Sequence, residues 1–205
     1  MFKHNSYKYL FFLALTFFSI KSIAQNKLLS IDSLNQIEGI TKVKDLPEGN
    51  SEVVKIVLKR ERLTIIPPQI FDYTNLQYLD LSKNKIDSIS PDIAKLKNLQ
   101  VLILSKNQID AFPYEIFLLS NLVILEANSN GVNYISPNIK MLTKLKSLDL
   151  WNTNVTTFPD EMTVLENLEV IDLRGITMNP IQQQNILELF PEVKVYMSMP
   201  CNCGF

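Results

Sequence analysis

A run of 23-residue repeats constrains this chain more than any other feature. The stretch from Leu76 to Asn98 reads LQYLDLSKNKIDSISPDIAKLKN. Four further segments of the same length align with it without a gap: 53–75, 99–121, 122–144 and 145–167. A sixth copy begins at Leu168 and loses the pattern after Ile176. Periods of roughly 20–50 residues are typical of architectures in which each unit buries its apolar face against the next, so we predict a single stack of repeats.

The first half of each copy has the pattern of a strand with one buried face, because apolar residues alternate there with polar or variable ones. Two columns of apolar residues result when the copies are aligned: Ile56, Leu79, Leu102, Leu125, Leu148 and Ile171, then Leu58, Leu81, Leu104, Ala127, Leu150 and Leu173. Proline follows each of the first five strands, where a chain entering a short helical turn needs no amide donor. The pattern therefore predicts six short parallel strands joined by helical or irregular turns.

The repeat resembles the leucine-rich repeat, whose L-x-x-L-x-L-x-x-N signature is carried by Leu76, Leu79, Leu81 and Asn84. The resemblance implies an α/β solenoid with a parallel sheet of short strands on its concave face and short helical or irregular segments on its convex side. It also implies a non-enzymatic scaffold that binds other molecules. Asn84, Asn107 and Asn130 share the ninth position, and we predict that their amides bond to backbone groups where the chain bends.

Sequence on either side of the repeats predicts two caps around about six repeats in residues 53–178. In residues 25–52, apolar residues spaced by about three predict one or two short helices that form an N-terminal cap. In residues 179–205, Asn179-Pro180 begins a helix through Gln182 to Leu189, and Val193 to Tyr196 is predicted to be a last strand. We interpret this segment as the C-terminal cap, since an open stack must be sealed at both ends.

Residues 1–24 have the pattern of a secretory signal peptide, with Lys3 and Lys8, a largely apolar run from Leu10 to Ile20, and a small-residue ending. We predict cleavage after Ala24. The apolar run is shorter than the about 20 residues that a membrane-spanning helix needs. Removing residues 1–24 takes away three lysines and no acidic residue, which changes the formal net charge from −1 to −4. We therefore expect a secreted, periplasmic or cell-surface protein that does not span the membrane and does not bind nucleic acid.

Few residues suited to catalysis or metal binding remain after this processing. The only histidine is His4, which lies in the signal peptide, and no glycine-rich phosphate loop is present. Asp149 and Asp172 occupy neighbouring copies and could approach the roughly 5 Å separation of retaining glycosidases, but an acidic column on an acidic protein needs no such role. Calcium would need six or more oxygen ligands. We predict no catalytic residue, no metal site and no cofactor.

The two cysteines, Cys201 and Cys203, lie at the extreme C-terminus. A secreted protein normally pairs its cysteines, although residues two apart form at best a small, strained ring. Three arrangements stay open: a local, redox-labile disulfide, a link between chains, and two free thiols.

Positions three, five, seven and eight of each copy are predicted to face outward on the concave side. The residues that we expect to contact a ligand are Trp151, Tyr78, Asp80, Val101, Ile103, Ile124, Glu126, Asn128, Asp149, Asp172 and Arg174. Basic residues gather toward the first three copies, an apolar middle follows, and acids flank Trp151. An exposed aromatic and apolar patch favours a protein or peptide ligand. The alternative hypothesis is a glycan or cell-surface polysaccharide stacked on Trp151 and Tyr78.

Overall fold

The computed structural model describes residues 27–48 and 52–200. The predicted signal peptide, its cleavage site after Ala24, and Cys201 and Cys203 lie outside these residues. The described part contains one parallel sheet in which seven strands follow one another in chain order. The strands are β1 (Lys55–Val57), β2 (Tyr78–Asp80), β3 (Val101–Ile103), β4 (Ile124–Glu126), β5 (Ser147–Asp149), β6 (Val170–Leu173) and β7 (Lys194–Met197).

The register of the sheet equals the length of the repeat. Leu79 in β2 pairs with Ile56 in β1 and with Leu102 in β3, and the same one-repeat offset continues to β6. Both predicted inward columns are buried in one continuous core. The predicted parallel sheet and its inward columns are therefore confirmed.

The return half of each repeat contains a short 3-10 helix, as the prolines predicted. These helices span Pro68–Asp72, Pro91–Lys95, Tyr114–Leu118, Pro137–Met141 and Asp160–Val164. Three of them have proline in their first turn, and in two of these the preceding residue, Ser90 or Ser136, accepts a hydrogen bond from the backbone two residues later. Proline is tolerated at this point because the first amides of a helix have no partner inside it.

The predicted asparagine ladder is confirmed by its hydrogen bonds. The Asn130 amide nitrogen donates to the carbonyls of Leu104 (3.0 Å) and Ala127 (2.9 Å), and its oxygen accepts from the Ile109 amide (3.0 Å). Asn107 and Asn84 make the equivalent bonds one and two repeats earlier. Thr153 occupies the same position in the fifth copy and makes a single bond, to the Leu150 carbonyl. Each asparagine thus joins three segments that would otherwise leave backbone groups unpaired.

A second set of asparagines lies at the last position of the repeat and joins neighbouring copies near the surface. The side chains of Asn98, Asn121 and Asn167 donate to the carbonyls of Thr74, Lys97 and Thr143 at 2.8–3.0 Å. In the fourth copy Lys144 replaces asparagine and donates to the Asn121 side chain at 2.7 Å.

The N-terminal segment, residues 27–40, folds back across the first three repeats. It contains one α-helix, α1 (Ile31–Gln36), and Ile40 then forms a parallel bridge with Ile56 at the edge of the sheet. A 3-10 turn follows at Val43–Asp45. Of the apolar residues spaced by about three, Leu34 is fully buried, whereas the others described here are partly exposed. The boundaries proposed for the two caps stay a prediction.

The C-terminal end of the sheet is covered by α2 (Pro180–Leu189) and extended by β7. Asn179 caps α2, because it accepts from the Gln182 amide while the Gln182 side chain accepts from the Asn179 amide, both at 2.9 Å. In β7 the residues Val195 and Met197 pack against the core, while Lys194 and Tyr196 point to the other face. None of the helices in the described residues is both long and apolar enough to cross a membrane.

Candidate binding surface

The outward residues of the seven strands form two ordered columns on the concave face. Strand register places Lys55, Tyr78, Val101, Ile124, Ser147, Val170 and Lys194 in the first column. It places Val57, Asp80, Ile103, Glu126, Asp149, Asp172 and Tyr196 in the second. All the residues that we expected to contact a ligand lie in these columns or directly after them, so the structure brings them onto one face.

Three of these residues are not exposed as we expected. Asp80 is 4% exposed, Val101 2% and Asn128 8%. Asp80 accepts a hydrogen bond from the Ser82 amide at 2.8 Å and lies 3.6 Å from the Lys59 ammonium group. Asn128 donates to Asp149 at 2.5 Å. The expected exposure of these three residues is therefore wrong, and for Asp80 and Asn128 the reason is the contacts that they form with neighbouring repeat residues.

The N-terminal segment is held against the face by buried glutamine side chains. The Gln77 side chain accepts from the Leu29 amide at 2.8 Å and donates to the Lys27 carbonyl at 3.3 Å, while Gln100 donates to the Leu29 carbonyl at 2.9 Å. Lys55 donates to the Leu34 carbonyl at 2.7 Å, and its ammonium group lies 4.6 Å from the centre of the Tyr78 ring. We call the outward residues of β1 to β3 the closed half of the concave face.

The aspartates of the second column take part in the fold itself. Like Asp80, Asp149 and Asp172 accept a hydrogen bond from the amide two residues later, at 2.9 Å from Trp151 and 3.1 Å from Arg174. Each bond satisfies an amide where the strand ends and the chain turns. The sequence could have indicated this local role, because aspartate favours such turns, but we had assigned the column to ligand contact alone.

A left-handed backbone residue follows at position eight of every repeat. The six residues at this position are Arg60, Lys83, Lys106, Ser129, Asn152 and Gly175, with φ between 54° and 78°, and Arg62 in the first copy has the same conformation outside it. In the first five, the backbone amide donates to the carbonyl of position seven in the next copy, at 2.8–3.2 Å. The turn therefore extends the ladder of the sheet beyond the strands.

Glu126 lies among other acids on this face and makes no comparable turn bond among the described residues. Burial raises the pKa of its carboxyl group, and the negative charges of Asp149 and Asp80 raise it further. The Tyr78 hydroxyl has a raised pKa for the same reasons, burial first and then Asp80 and Glu126. The middle of the face is thus an electronegative, partly buried region in which a positive ligand group would be favoured.

The outward residues of β4 to β7 and of the turns that follow them form the open half of the face. Trp151 is 40% exposed and Tyr196 is 38% exposed. The Arg174 guanidinium lies 5.4 Å from the centre of the Tyr196 ring, and the Lys194 ammonium group lies 4.8 Å from it. We call Trp151, Arg174 and Tyr196 the aromatic patch, since they lie on or directly after three consecutive strands.

Gly175 allows Trp151 to lie close to the backbone of the next repeat. A Cβ atom added at Gly175 would lie 3.2 Å from the indole nitrogen of Trp151 and 3.2 Å from the backbone of Asn152. Its φ of 78° also favours glycine over other residues. The position of the indole is therefore determined by the local backbone.

The acidic pair that we considered for catalysis is already engaged within the protein. Burial of Asp172 would raise the pKa of its carboxyl group, but hydrogen bonds from Arg174 and its positive charge outweigh burial and lower that pKa. Asp149 accepts from Trp151 and Asn128. The arrangement at Asp172 favours an ionised carboxylate with a fixed partner over a proton donor. Residues 27–48 and 52–200 contain no group of three or more His, Cys, Asp or Glu side chains that could hold a metal ion.

Our sequence reasoning missed Tyr196 and Lys194 as members of this face. Both lie in the cap, outside the regular repeat, so no aligned copy indicated their direction. The alternation of Val193, Val195 and Met197 with these two residues was the available signal.

Comparison with known proteins agrees with the architecture. A family model described as a leucine-rich repeat region matches residues 67–188. Among solved structures, a leucine-rich repeat protein of Leptospira interrogans is 31% identical with a TM-score of 0.64, over 72% of this chain and 38% of that one. An internalin from Listeria monocytogenes has a TM-score of 0.62 at 21% identity, over 73% of this chain and 42% of that one, which shows the shared fold alone.

A plant peptide hormone receptor, RGFR1, solved in complex with RGF2, is 28% identical with a TM-score of 0.59, over 72% of this chain and 24% of that one. This chain thus spans less than half the length of each of these three structures. None of the curated proteins matches it. The repeat register, the asparagine ladder and the match over more than half of its residues establish that the chain belongs to the leucine-rich repeat family.

Proposed function

We propose that this chain is a non-enzymatic binding module that recognises a protein or peptide ligand on the open half of its concave face. Trp151 is the centre of the proposed surface. The observation that carries the proposal is the aromatic patch, in which two exposed aromatic rings and an arginine lie together on consecutive repeats. Tryptophan, tyrosine and arginine are the residues most enriched at binding hot spots.

The indole of Trp151 has the properties of a preorganised anchor. Its backbone amide is bonded to Asp149, and the glycine beside it leaves no side chain to displace it. An anchor that is already positioned loses little conformational entropy when a ligand binds, which favours affinity. A ligand that covered Trp151 would remove exposed apolar area from water.

Polar and apolar neighbours complete the proposed surface. Arg174 bonds Asp172 through its guanidinium group and also faces the Tyr196 ring, so its charge is fixed in place at the edge of the patch. Ile124, in β4, is half-buried toward the middle of the face. This arrangement of an aromatic centre beside apolar and charged groups is typical of protein interfaces.

The relatives support a binding role. The leucine-rich repeat fold commonly mediates protein binding, and the plant receptor among the similar structures was solved with a bound partner. The internalin from Listeria monocytogenes shares the fold. We extend to this chain the role of a module that is exported and meets its ligand outside the cytoplasm, because its N-terminal 24 residues have the pattern of a signal peptide.

The proposed export is tested by the mass of the protein recovered from its own source. We expect a mature chain that begins at Gln25. A mass that includes residues 1–24 would overturn the proposed processing.

The proposed ligand surface is tested with Trp151→Ala and a matched control, Tyr134→Ala. Tyr134 is 53% exposed and lies outside the two concave columns, so both variants remove one exposed aromatic ring. Immobilised wild-type protein and both variants are incubated with the same extracellular protein mixture, and bound proteins are quantified. We expect at least one protein to be retained by the wild type and Tyr134→Ala and lost by Trp151→Ala. Equal capture by all three proteins, or binding to a glycan array in place of any protein, would overturn the proposal.

A further inference from the structure

A second charged surface lies at the closed half of the face and differs from the aromatic patch. Lys59, Arg60, Lys83 and Lys106 follow β1, β2 and β3, and we call them the basic row. The amide of Arg60 donates to the Ser82 carbonyl, that of Lys83 to the Ser105 carbonyl, and that of Lys106 to the Asn128 carbonyl, at 2.8–3.2 Å. Their backbones therefore follow one another at the spacing of neighbouring strands, about 4.8 Å.

The charges of the basic row are largely unneutralised. Lys59 lies 3.6 Å from Asp80, but Arg60, Lys83 and Lys106 have no ion pair within residues 27–48 and 52–200. The positive charge of Arg60 lowers the pKa of the Lys83 ammonium group, with smaller contributions from burial, Lys106 and Lys59. An anion placed on the row would relieve this repulsion.

The backbone conformation at these positions disfavours the residues that occupy them. Arg60, Lys83 and Lys106 have φ of 64°, 61° and 60°, in the left-handed region. Asparagine and glycine tolerate this region best, and they occupy the same position in the last two copies as Asn152 and Gly175. Three cations at the less favourable conformation indicate a role other than stability.

Two buried hydroxyl groups lie directly before the cations. The side-chain oxygens of Ser82 and Ser105 are buried and have no hydrogen-bond partner among the described residues. Because both oxygens are buried, they are not available to a bound ligand. The side chains of the basic row are therefore the groups that a partner would contact.

We propose that the basic row binds an acidic, extended segment of a protein partner that runs along the turns that follow β1 to β3. An extended chain places alternate side chains on one side about 6.7 Å apart. The span from Arg60 to Lys106 covers two strand spacings, or about 9.6 Å. Two carboxylates from alternate residues therefore fit along the row, where the cationic side chains can donate charge-assisted hydrogen bonds to them.

The neighbouring acids favour a short acidic segment over a long polyanion. Asp80 and Glu126 lie at position five, directly beside the row, and the mature chain carries a formal net charge of −4. A nucleic acid or sulfated polysaccharide that extended past the row would meet these negative charges. A peptide segment with two or three carboxylates would contact the cations alone.

The test uses a fluorescein-labelled peptide of ten residues with glutamate at three alternate central positions and no other charged side chain, measured by fluorescence anisotropy. The first variant combines Arg60→Asn, Lys83→Asn and Lys106→Asn, because asparagine suits the left-handed backbone. The matched control combines Lys97→Asn, Lys140→Asn and Lys144→Asn, which removes the same charge from exposed positions in the return halves of the repeats.

We expect the dissociation constants of the wild type and the control for the peptide to agree within twofold. The row variant should bind the peptide at least tenfold more weakly. It should also melt at the same temperature as the wild type or at a higher one. Affinity should fall as salt is raised. Trp151→Ala should bind this peptide as the wild type does. Three results would each overturn the proposal. The first is an equal loss of affinity in the row variant and the control. The others are equal binding of a peptide with glutamine in place of glutamate, and tighter binding of heparin or single-stranded DNA of matched length.

Discussion

Asp80 in β2 and Asp149 in β5 occupy the same repeat position and accept the same backbone hydrogen bond, yet Asp80 is buried and Asp149 is partly exposed. The shared repeat position does not produce this difference, because the residues around the two strands differ. Around β1 to β3, Asp80 lies 3.6 Å from Lys59, and the N-terminal segment is bonded to Lys55, Gln77 and Gln100. Around β5 to β7, the cap adds Tyr196, and Trp151 is exposed. The repeat thus determines the direction of a side chain, whereas its exposure depends on residues that differ from one repeat to the next and on the flanking segments.

The largest expected effect comes from the asparagine ladder, which underlies both halves. Asn130→Ala would leave the carbonyls of Leu104 and Ala127 and the amide of Ile109 without partners. At about 1–3 kcal/mol for each unpaired buried group, we expect the free energy of unfolding to fall by roughly 3 kcal/mol or more. Thr153→Ala, which removes one bond at the same position, is the control and should cost about 1 kcal/mol. Chemical denaturation measures both, and equal losses would contradict the ladder as the main support of the stack.

A smaller loss is expected when the closed half is opened. Gln77→Ala would remove the bonds to Leu29 and Lys27, and we expect it to lower the free energy of unfolding by about 2 kcal/mol. Lys146→Ala is the control, because Lys146 occupies the same repeat position, directly before β5, but is exposed. Its ion pair with Glu169 should contribute less than about 1 kcal/mol. Hydrogen exchange at the Leu29 amide should accelerate in Gln77→Ala alone. Unchanged exchange there would show that the glutamines do not hold the segment.

The conformation of the open half is tested at Gly175. Gly175→Ala would introduce a Cβ atom 3.2 Å from the Trp151 indole, at a φ that alanine disfavours. We therefore expect the free energy of unfolding to fall by about 1 kcal/mol or more and the Trp151 fluorescence spectrum to change. Asn152→Gly, at the same position one repeat earlier, should change stability by only a few tenths of a kcal/mol. Thermal melts and emission spectra distinguish the two. An unchanged spectrum in Gly175→Ala would show that this glycine does not position the indole.

The smallest expected effect concerns the boundary between the halves, at Glu126. Its folded-state pKa is raised by burial and by Asp149 and Asp80, so it binds its proton more tightly in the folded protein. Ionisation above that pKa therefore lowers the free energy of unfolding. Glu126→Gln should raise the melting temperature slightly at pH 7. This gain in melting temperature should disappear as the pH falls through the raised pKa, because Glu126 of the wild type then becomes protonated. Glu166→Gln, at an exposed position, is the control, and an equal gain there would contradict a local cause.

The repeat made most of the fold predictable from the sequence. The inward columns, the one-repeat register and the bonds of Asn84, Asn107 and Asn130 all follow from side chains that recur at a fixed spacing. The second set, Asn98 and its equivalents, recurs equally well but was not assigned a role, since surface polar residues need no partner in the protein.

The candidate surface was only partly predictable. Alternation gives the side of the sheet on which Val101 or Asn128 lies, but it does not show what covers that side. The contacts that close the first strands come from Leu29 and Leu34, which are far away in sequence and have no repeated counterpart. Tyr196 was missed for the same reason, because its register depends on a strand that the cap supplies.

Acrylamide quenching of tryptophan fluorescence tests the proposed binding surface most directly, because Trp151 is the only tryptophan in the chain. The partner is the protein that is captured by Tyr134→Ala and not by Trp151→Ala. The measurement compares the free protein with the protein saturated by a fragment of this partner that contains no tryptophan. If the open half is the binding surface, Trp151 should be readily quenched in the free protein and strongly protected in the complex. Equal quenching in both states would show that the partner binds elsewhere and would contradict Trp151 as the centre of the surface.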